Sequence, residues 1–519
     1  CRGWVESGPE ELLDLAPANA AAAVAIPDLG RLAGDVNGFI TAATRKAGAD
    51  AVTRIRQGLT EQLGFDPLDP AALAKQGIDP ERGALVFSEA GATEPLVALA
   101  ARDHALVDTS LKTLIEKTDG ASRFTESKMS GFTVLSAGRP FGTEVIPAFH
   151  WAHVGRYVLL AREDGKAMLE QALARLAQQS AQAPTLRTDP TYARLAGTVA
   201  PGDLMIFARA TQPNAAAAGA PGGAITSVDL GAQGFSSDTF LDLGIKGLAE
   251  ALAGDSALPL ASKVGADASF VLLTRAARPE GVKALRSHPM VSASLDRVVK
   301  PFHDAAGVDP ESEVLPLLAG PLTFSVHIAD LKELPQRLKA TRSPAALLDF
   351  FHVAVTAEVK DAKAFQALLD RSRERLSKEG IKLRQRTRAV GKDKATVTEP
   401  DRPDPKLGWT VVSGHYVYGA GSGRLDKVLD LLATGSSELP KNLNGSVAQT
   451  LGEKPGTTVA LLRAGRVADA ASPLATGGGT GLGALLGTAI ELLRALGDVA
   501  VAVSAEGDGL RLRVLERMQ

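Results

Sequence analysis

Val499-Ala500-Val501-Ala502-Val503-Ser504-Ala505-Glu506-Gly507-Asp508-Gly509-Leu510-Arg511-Leu512-Arg513-Val514 decides the fold class. Val499, Val501 and Val503 alternate with small residues, and Leu510, Leu512 and Val514 alternate with Arg511 and Arg513. A period of two puts one set of side chains against a core and the other in water, so both runs read as strands. Gly507-Asp508-Gly509 supplies the turn that joins them into a hairpin. Gly155 and Gly414 also separate pairs of strand-like runs, and Tyr157 and Tyr416 open the returning strands. Many hairpins with few parallel crossovers predict an α+β protein, with mainly antiparallel sheets and helices packed on one face.

Short matches recur in the same order along the chain. Pro17-Ala18-Asn19-Ala20 matches Gly265-Ala266-Asp267-Ala268, and Gly64-Phe65-Asp66-Pro67 matches Gly307-Val308-Asp309-Pro310. Gly155-Arg156-Tyr157-Val158 matches Gly414-His415-Tyr416-Val417, and Pro201-Gly202 with Arg209-Ala210 matches Pro455-Gly456 with Arg463-Ala464. The partners lie about 248, 243, 259 and 254 positions apart, a drift that loop insertions explain. Asp-Pro and Pro-Gly are turn chemistry, so what recurs is the position of the turns. The expectation is two tandem copies of one unit. Residues 1–10 form a tether, 11–250 the first copy and 257–519 the second, joined near Ala251–Pro259. Each copy reads as a strand, a long helical run (Leu32–Leu63; Glu280–Ala306), two strands, a helix (Ala105–Lys117; Ala362–Lys378) and strands with a hairpin. A further helix (Lys166–Gln178; Arg424–Leu432), a strand and a closing hairpin follow.

The chain has 519 residues and a formal net charge of −2, so it is too long for one core and has no long-range pull on nucleic acid. Aromatic residues are 4% of the total, too few for stacking platforms. The single cysteine is residue 1, which excludes an internal disulfide and a cysteine-based zinc site. Bacterial lipoproteins are cleaved immediately before such a cysteine, so Cys1 is the expected lipidation site of a mature chain. Acyl chains would hold it at a membrane, each buried CH₂ contributing about 0.8 kcal/mol. Arg2 resembles the outer-membrane sorting pattern. The most apolar stretch, Gly481 to Leu496, is shorter than a membrane span and carries Glu491 and Arg494.

Candidate chemistry is sparse. Gly254-Asp255-Ser256-Ala257-Leu258 resembles the nucleophile block of hydrolases named for a Gly-Asp-Ser-Leu motif, but its place at the repeat junction reads as a linker. Gly477 to Gly483 is glycine-rich, yet it lacks the preceding strand of a dinucleotide site and the Gly-Lys-Ser/Thr of a P-loop. His150 and His153 would point to opposite faces of one strand, which argues against a shared metal ion. Arg371 to Lys394 holds ten Lys or Arg against three acids. Within it Lys382, Arg384, Arg386 and Arg388 alternate and share one face, which would suit lipid headgroups or an acidic partner; the plainer reading is a solvated face. The Leu32–Leu63 run could cover an apolar groove, although packing on its own sheet accounts for it. No catalytic residue, metal or cofactor is expected.

At the Ala-Asn/Asp-Ala strand entry and the Gly-x-Tyr-Val hairpin, the chain resembles a family of duplicated bacterial envelope proteins known only as a domain of unknown function. The resemblance implies an envelope location and carries no active site. The expected function is a non-enzymatic lipoprotein, anchored to the outer membrane on its periplasmic or surface side, that binds or scaffolds an envelope protein. The alternative is a periplasmic carrier of a lipid or other hydrophobic ligand, which a large apolar cavity would favour. A hydrolase using Ser256 would need a histidine within reach of that serine.

Overall fold

The computed structural model describes residues 10–44, 49–141, 144–178, 184–210, 222–275, 278–287, 289–340, 344–402, 405–435, 437, 439, 456–476, 490, 493–494 and 497–517. Cys1 and Gly477–Gly483 lie outside these residues. The chain divides into two compact units, Cys1–Gly244 and Ile245–Gln519. The junction stretch therefore belongs to the second unit. Backbone hydrogen bonds explain this: Ile245 N–H donates to Asp508 O, Ala249 N–H to Gly507 O and Ala257 N–H to Gly456 O.

In the first unit the strands are β1 (Ala20–Ile26), β2 (Ala84–Glu89), β3 (Leu96–Ala100), β4 (Arg123–Met129), β5 (Phe132–Phe141), β6 (Glu144–Val154), β7 (Tyr157–Arg162), β8 (Leu204–Arg209), β9 (Gly223–Gly231) and β10 (Gly234–Asp242). All pairings are antiparallel, in the order β4-β5-β6-β7-β3-β2-β1-β8-β9-β10. The second unit has β11 (Phe270–Thr274), β12 (Leu318–Ile328), β13 (Phe351–Val359), β14 (Leu383–Val390), β15 (Asp393–Pro400), β16 (Leu407–Val412), β17 (His415–Ala420), β18 (Thr458–Arg463), β19 (Asp498–Glu506) and β20 (Gly509–Arg517). Its order is β14-β15-β16-β17-β13-β12-β11-β18-β19-β20, again antiparallel throughout. The protein is thus α+β with antiparallel sheet.

Helices cover both faces of the sheet, not one. On β7, Val158 packs with Trp151, Val107 and Ile115, and so against the His104–Asp119 helix. The next residue, Leu159, packs with Leu169 and Leu173 of the Lys166–Ala177 helix. Adjacent strand residues point to opposite faces. In the second unit Tyr416 and Phe365 lie in one cluster, while Val417, Leu425 and Leu429 lie in another. The cause is in the sequence: Tyr157 to Ala161 is apolar without alternation, the pattern of a strand buried on both faces.

The long helical runs are each broken. Leu29–Ala43 and Ala49–Leu63 are separate helices, the first ending at Thr44, whose backbone N–H donates to Ile40 O at 2.9 Å. Pro279–Arg286 and Pro289–Ala306 are likewise separate; Ser287 bonds back to Ala284 O, and Pro289 opens the next helix at the position where a missing N–H does no harm. Among the described residues no helix is long and apolar enough to cross a membrane.

Candidate functional site

The most unusual group of side chains gathers around Arg424 in the second unit. The strand β17 ends in Gly419-Ala420-Gly421-Ser422-Gly423, and the chain turns directly into the helix Arg424–Thr434. Gly421 has φ +103°, and a Cβ there would lie 2.3 Å from the His352 ring; Gly423 has φ +66°. Only glycine tolerates both demands, so the turn is tight and seats Arg424 as the first helical residue. Gly423 offers no side-chain cap to that helix end.

The Arg424 side chain is 4% exposed. Its Nη2 donates to Asp267 Oδ2 at 3.0 Å and its Nη1 to Oδ1 at 3.4 Å, a forked pair, while its Nε is buried without a hydrogen-bond partner. Asp267 comes from the turn before β11 and is half exposed. His327 on β12 places Nδ1 2.9 Å from Asp267 Oδ1, close but not aligned as a hydrogen bond. Burial pushes the Asp267 carboxyl up, but the contacts from His327 and Arg424 outweigh it and hold the group well below the usual carboxylate range. The β12–β13 register sets His352 opposite His327. Burial, then the Arg424 charge, lowers the His352 pKa, with smaller contributions of the same sign from His327 and Lys427.

These groups line a cavity of about 420 Å³, closed on another side by Arg466, Asp469 and Pro473 of the Ala464–Thr476 helix. A second cavity of about 240 Å³ lies against Arg384, Arg386, Glu399, Gly408, Arg424 and Asp426. Both mix charged groups with apolar ones: Ile328, Ala329, Ala470 and Pro473 in the larger, Pro405, Leu407 and Leu425 in the smaller.

His327 Nε2 also lies 3.0 Å from Ser325 Oγ. Serine on Nε2 and aspartate on Nδ1 is the connectivity of a catalytic triad. Ser325 is 3% exposed and does not line the cavity, so its hydroxyl has no access to a substrate. The serine fixes the ring of His327 and goes no further.

The sequence candidates fall elsewhere. Lys382, Arg384, Arg386 and Arg388 lie on or beside β14, but the three arginines are held internally. Arg384 and Arg386 each bond the buried Glu399 at 3.0 Å, Arg386 and Arg388 both reach Asp426, and Arg388 bonds Asp430 at 2.7 Å. Among the described residues Lys382 alone of the four has no acidic partner, so the four do not present a free cationic face. His150 Nδ1 meets Ser136 Oγ at 2.8 Å, whereas His153 Nε2 meets Asp108 Oδ1 at 2.8 Å and stacks on His104. The two imidazoles serve separate partners, and among the described residues no cluster of three or more His, Cys, Asp or Glu is placed to hold a metal. Ser256 Oγ accepts from Leu258 N–H at 3.3 Å and its carbonyl from Arg275 Nε at 2.9 Å. No histidine among the described residues bonds it.

No protein-family model and no curated protein sequence matches the chain. Among solved structures it aligns with crystal form I of TP0453 over 82% of this chain and 98% of that one, at 9% identity and a TM-score of 0.19. A likeness at that score carries no inference about fold or function.

Proposed function

We propose that the chain is a non-enzymatic binding or scaffolding protein of the bacterial cell envelope, made of two tandem copies of one sheet-and-helix unit and tethered to the outer membrane through an acylated Cys1. One observation carries the binding role. At the far end of the β5–β6 hairpin, Phe141 is 69% exposed, Ile146 49% and Val145 39%. Register sets Ile146 opposite Arg139, on the same face as Phe141, and Val145 opposite Pro140 on the other face. Large apolar groups left in water together, here Phe141 and Ile146 on one face of the hairpin, are the mark of a contact surface.

Equivalent contacts in the two units, one pair outside the matched motifs and the others within them, support the duplication. Asp103 and Asp361 each cap the helix that follows β3 or β13, accepting from the backbone N–H groups two and three residues on. Arg209 at the end of β8 donates to Ala18 O at 2.7 Å, and Arg463 at the end of β18 donates to Ala266 O at 2.6 Å. Gly64 and Gly307 both have positive φ, and each donates to the carbonyl four residues back, closing a helix.

The test is site-specific photocrosslinking in native membranes. A photoreactive residue at position 141 or 146 should capture one envelope protein, and the same group at exposed Gly380 should not. Absence of an adduct from 141 and 146 refutes the contact surface. Intact mass of membrane-extracted protein tests the tether, which an unmodified Cys1 would remove.

A further inference from the structure

We propose that the cavity walled by Arg424, Lys427, Arg466, His327 and His352 binds one small molecule through a phosphate-type oxyanion. The first argument is the orphaned donor. A guanidinium carries five N–H donors, and native proteins leave few buried donors without a partner. Arg424 is almost fully buried, yet its Nε has none. Arg424 lines the cavity, so an oxyanion bound there meets the same guanidinium.

The second argument is charge. Asp267 is engaged by Arg424 and His327, Asp469 pairs with Arg494 at 3.2 Å, and Asp330 accepts from the Lys332 backbone at 2.8 Å. Lys427 and Arg466 have no ion-pair partner among the described residues. The lining holds three cations (Arg424, Lys427, Arg466) and three carboxylates (Asp267, Asp330, Asp469), with two imidazoles among them; Asp267 and Asp469 are already paired, which leaves Lys427 and Arg466 as the unmatched charges among the described residues. Arg424 is also the first residue of its helix, whose positive end adds to the field. Arginine, lysine and imidazole donors converging on one space suit an oxyanion with several acceptor atoms. At about 420 Å³ the space exceeds a bare phosphate and admits a phosphorylated small molecule or a phospholipid headgroup.

The experiment uses the full chain. Calorimetric titrations with inorganic phosphate and glycerol 3-phosphate are run beside flotation with phosphatidylglycerol and phosphatidylcholine vesicles. The expected result is saturable binding of glycerol 3-phosphate at one site per chain, weakened at least tenfold in Arg424→Gln and in the Lys427→Glu/Arg466→Glu double variant. Lys427 and Arg466 are exposed, so the double variant keeps its fold even if Arg424→Gln does not. Flotation on phosphatidylglycerol alone, competed by glycerol 3-phosphate and lost in the double variant, would assign the oxyanion to a lipid headgroup. Binding of glycerol 3-phosphate without flotation would assign it to a soluble ester. The proposal fails if the native chain binds none of these probes, if binding is unchanged in the double variant, or if succinate binds while the phosphates do not.

Discussion

Replacing Asp267 by alanine should destabilise the second unit more than replacing Arg424 by methionine, although the two side chains form one ion pair. The asymmetry follows from burial: Arg424 is 4% exposed and Asp267 49%. Removing the acid strands a buried guanidinium whose Nε already lacks a partner. Breaking a buried pair in that sense costs about 3–5 kcal/mol, and water admitted through the Asp267 side keeps the figure near 3. Arg424→Met removes the buried charge itself and keeps an apolar stem. The carboxylate left behind is already hydrated, so the cost is about 1 kcal/mol. The difference of about 2 kcal/mol is roughly thirtyfold in the folding constant. The acid dependence has a definite sign. Asp267 is held below its unfolded-state pKa of about 3.9. Its contribution is therefore complete above that pH and is lost as pH falls from there through the folded-state value. The Asp267→Ala penalty should hold steady from pH 7 to 5 and shrink below about pH 4. Hydrogen exchange in graded denaturant, read by mass spectrometry, reports β11, β12 and β13 apart from the first unit. An Arg424→Met cost equal to or above that of Asp267→Ala would refute the reasoning, as would a penalty that stays constant down to pH 3.

Gly421→Ala should cost about 2–4 kcal/mol and Gly423→Ala only about 1, because the first adds a clash with His352 to the strain of positive φ and the second meets open space; denaturation midpoints of unit-2 peptides give the ranking, and equal costs would contradict the geometry. Arg209→Met and Arg463→Met should each destabilise their own unit by about 1.5–3 kcal/mol through the lost bonds to Ala18 O and Ala266 O, and a large disparity in hydrogen exchange would count against a shared ancestry for the two contacts. His150 has its pKa lowered by burial first and by Lys166 second, so it favours the folded state above about pH 6.5 and loses that contribution as pH falls towards the folded-state value. His150→Phe should flatten part of the fall in first-unit thermal stability between pH 7 and 5, while His104, also lowered, keeps the rest.

Turns were the legible part of the fold. The hairpin of Val499 to Val514 runs as β19 and β20, and Gly155 and Gly414 turn with φ of +59° and +73°. These are local matters: alternation and glycine stereochemistry act over a handful of residues. What went astray depended on reading several elements together. Tyr157 to Ala161 is apolar at every position, which announces a strand covered on both faces, but a general preference for one-sided antiparallel sheets outweighed it. The Leu32–Leu63 run reads as one helical segment in the sequence, and the structure divides it. The backbone leaves the helical conformation at Thr44, where the first helix ends.

The candidate site was hidden for a different reason. The basic stretch around Arg384 to Arg388 looked available because its neutralising acids are distant in sequence: Glu399 lies 13 and 15 residues from its partners, and Asp426 and Asp430 lie 38 to 42. Arg424 looked ordinary because Asp267, 157 residues earlier, is what holds it. Two local signs were nevertheless present. Gly419-Ala420-Gly421-Ser422-Gly423-Arg424 is a glycine-rich passage from strand to helix, but a search confined to dinucleotide and P-loop spacings passes over it. The other sign was a difference between two matched stretches: Pro17-Ala18-Asn19-Ala20 carries neutral Asn19 where Gly265-Ala266-Asp267-Ala268 carries Asp267. Turn residues recur because the backbone needs them in both units, so a new charge at a recurring turn is not required by the turn itself. In this chain that charge answers to Arg424, and the buried donor it leaves unmatched is the feature on which the oxyanion site rests.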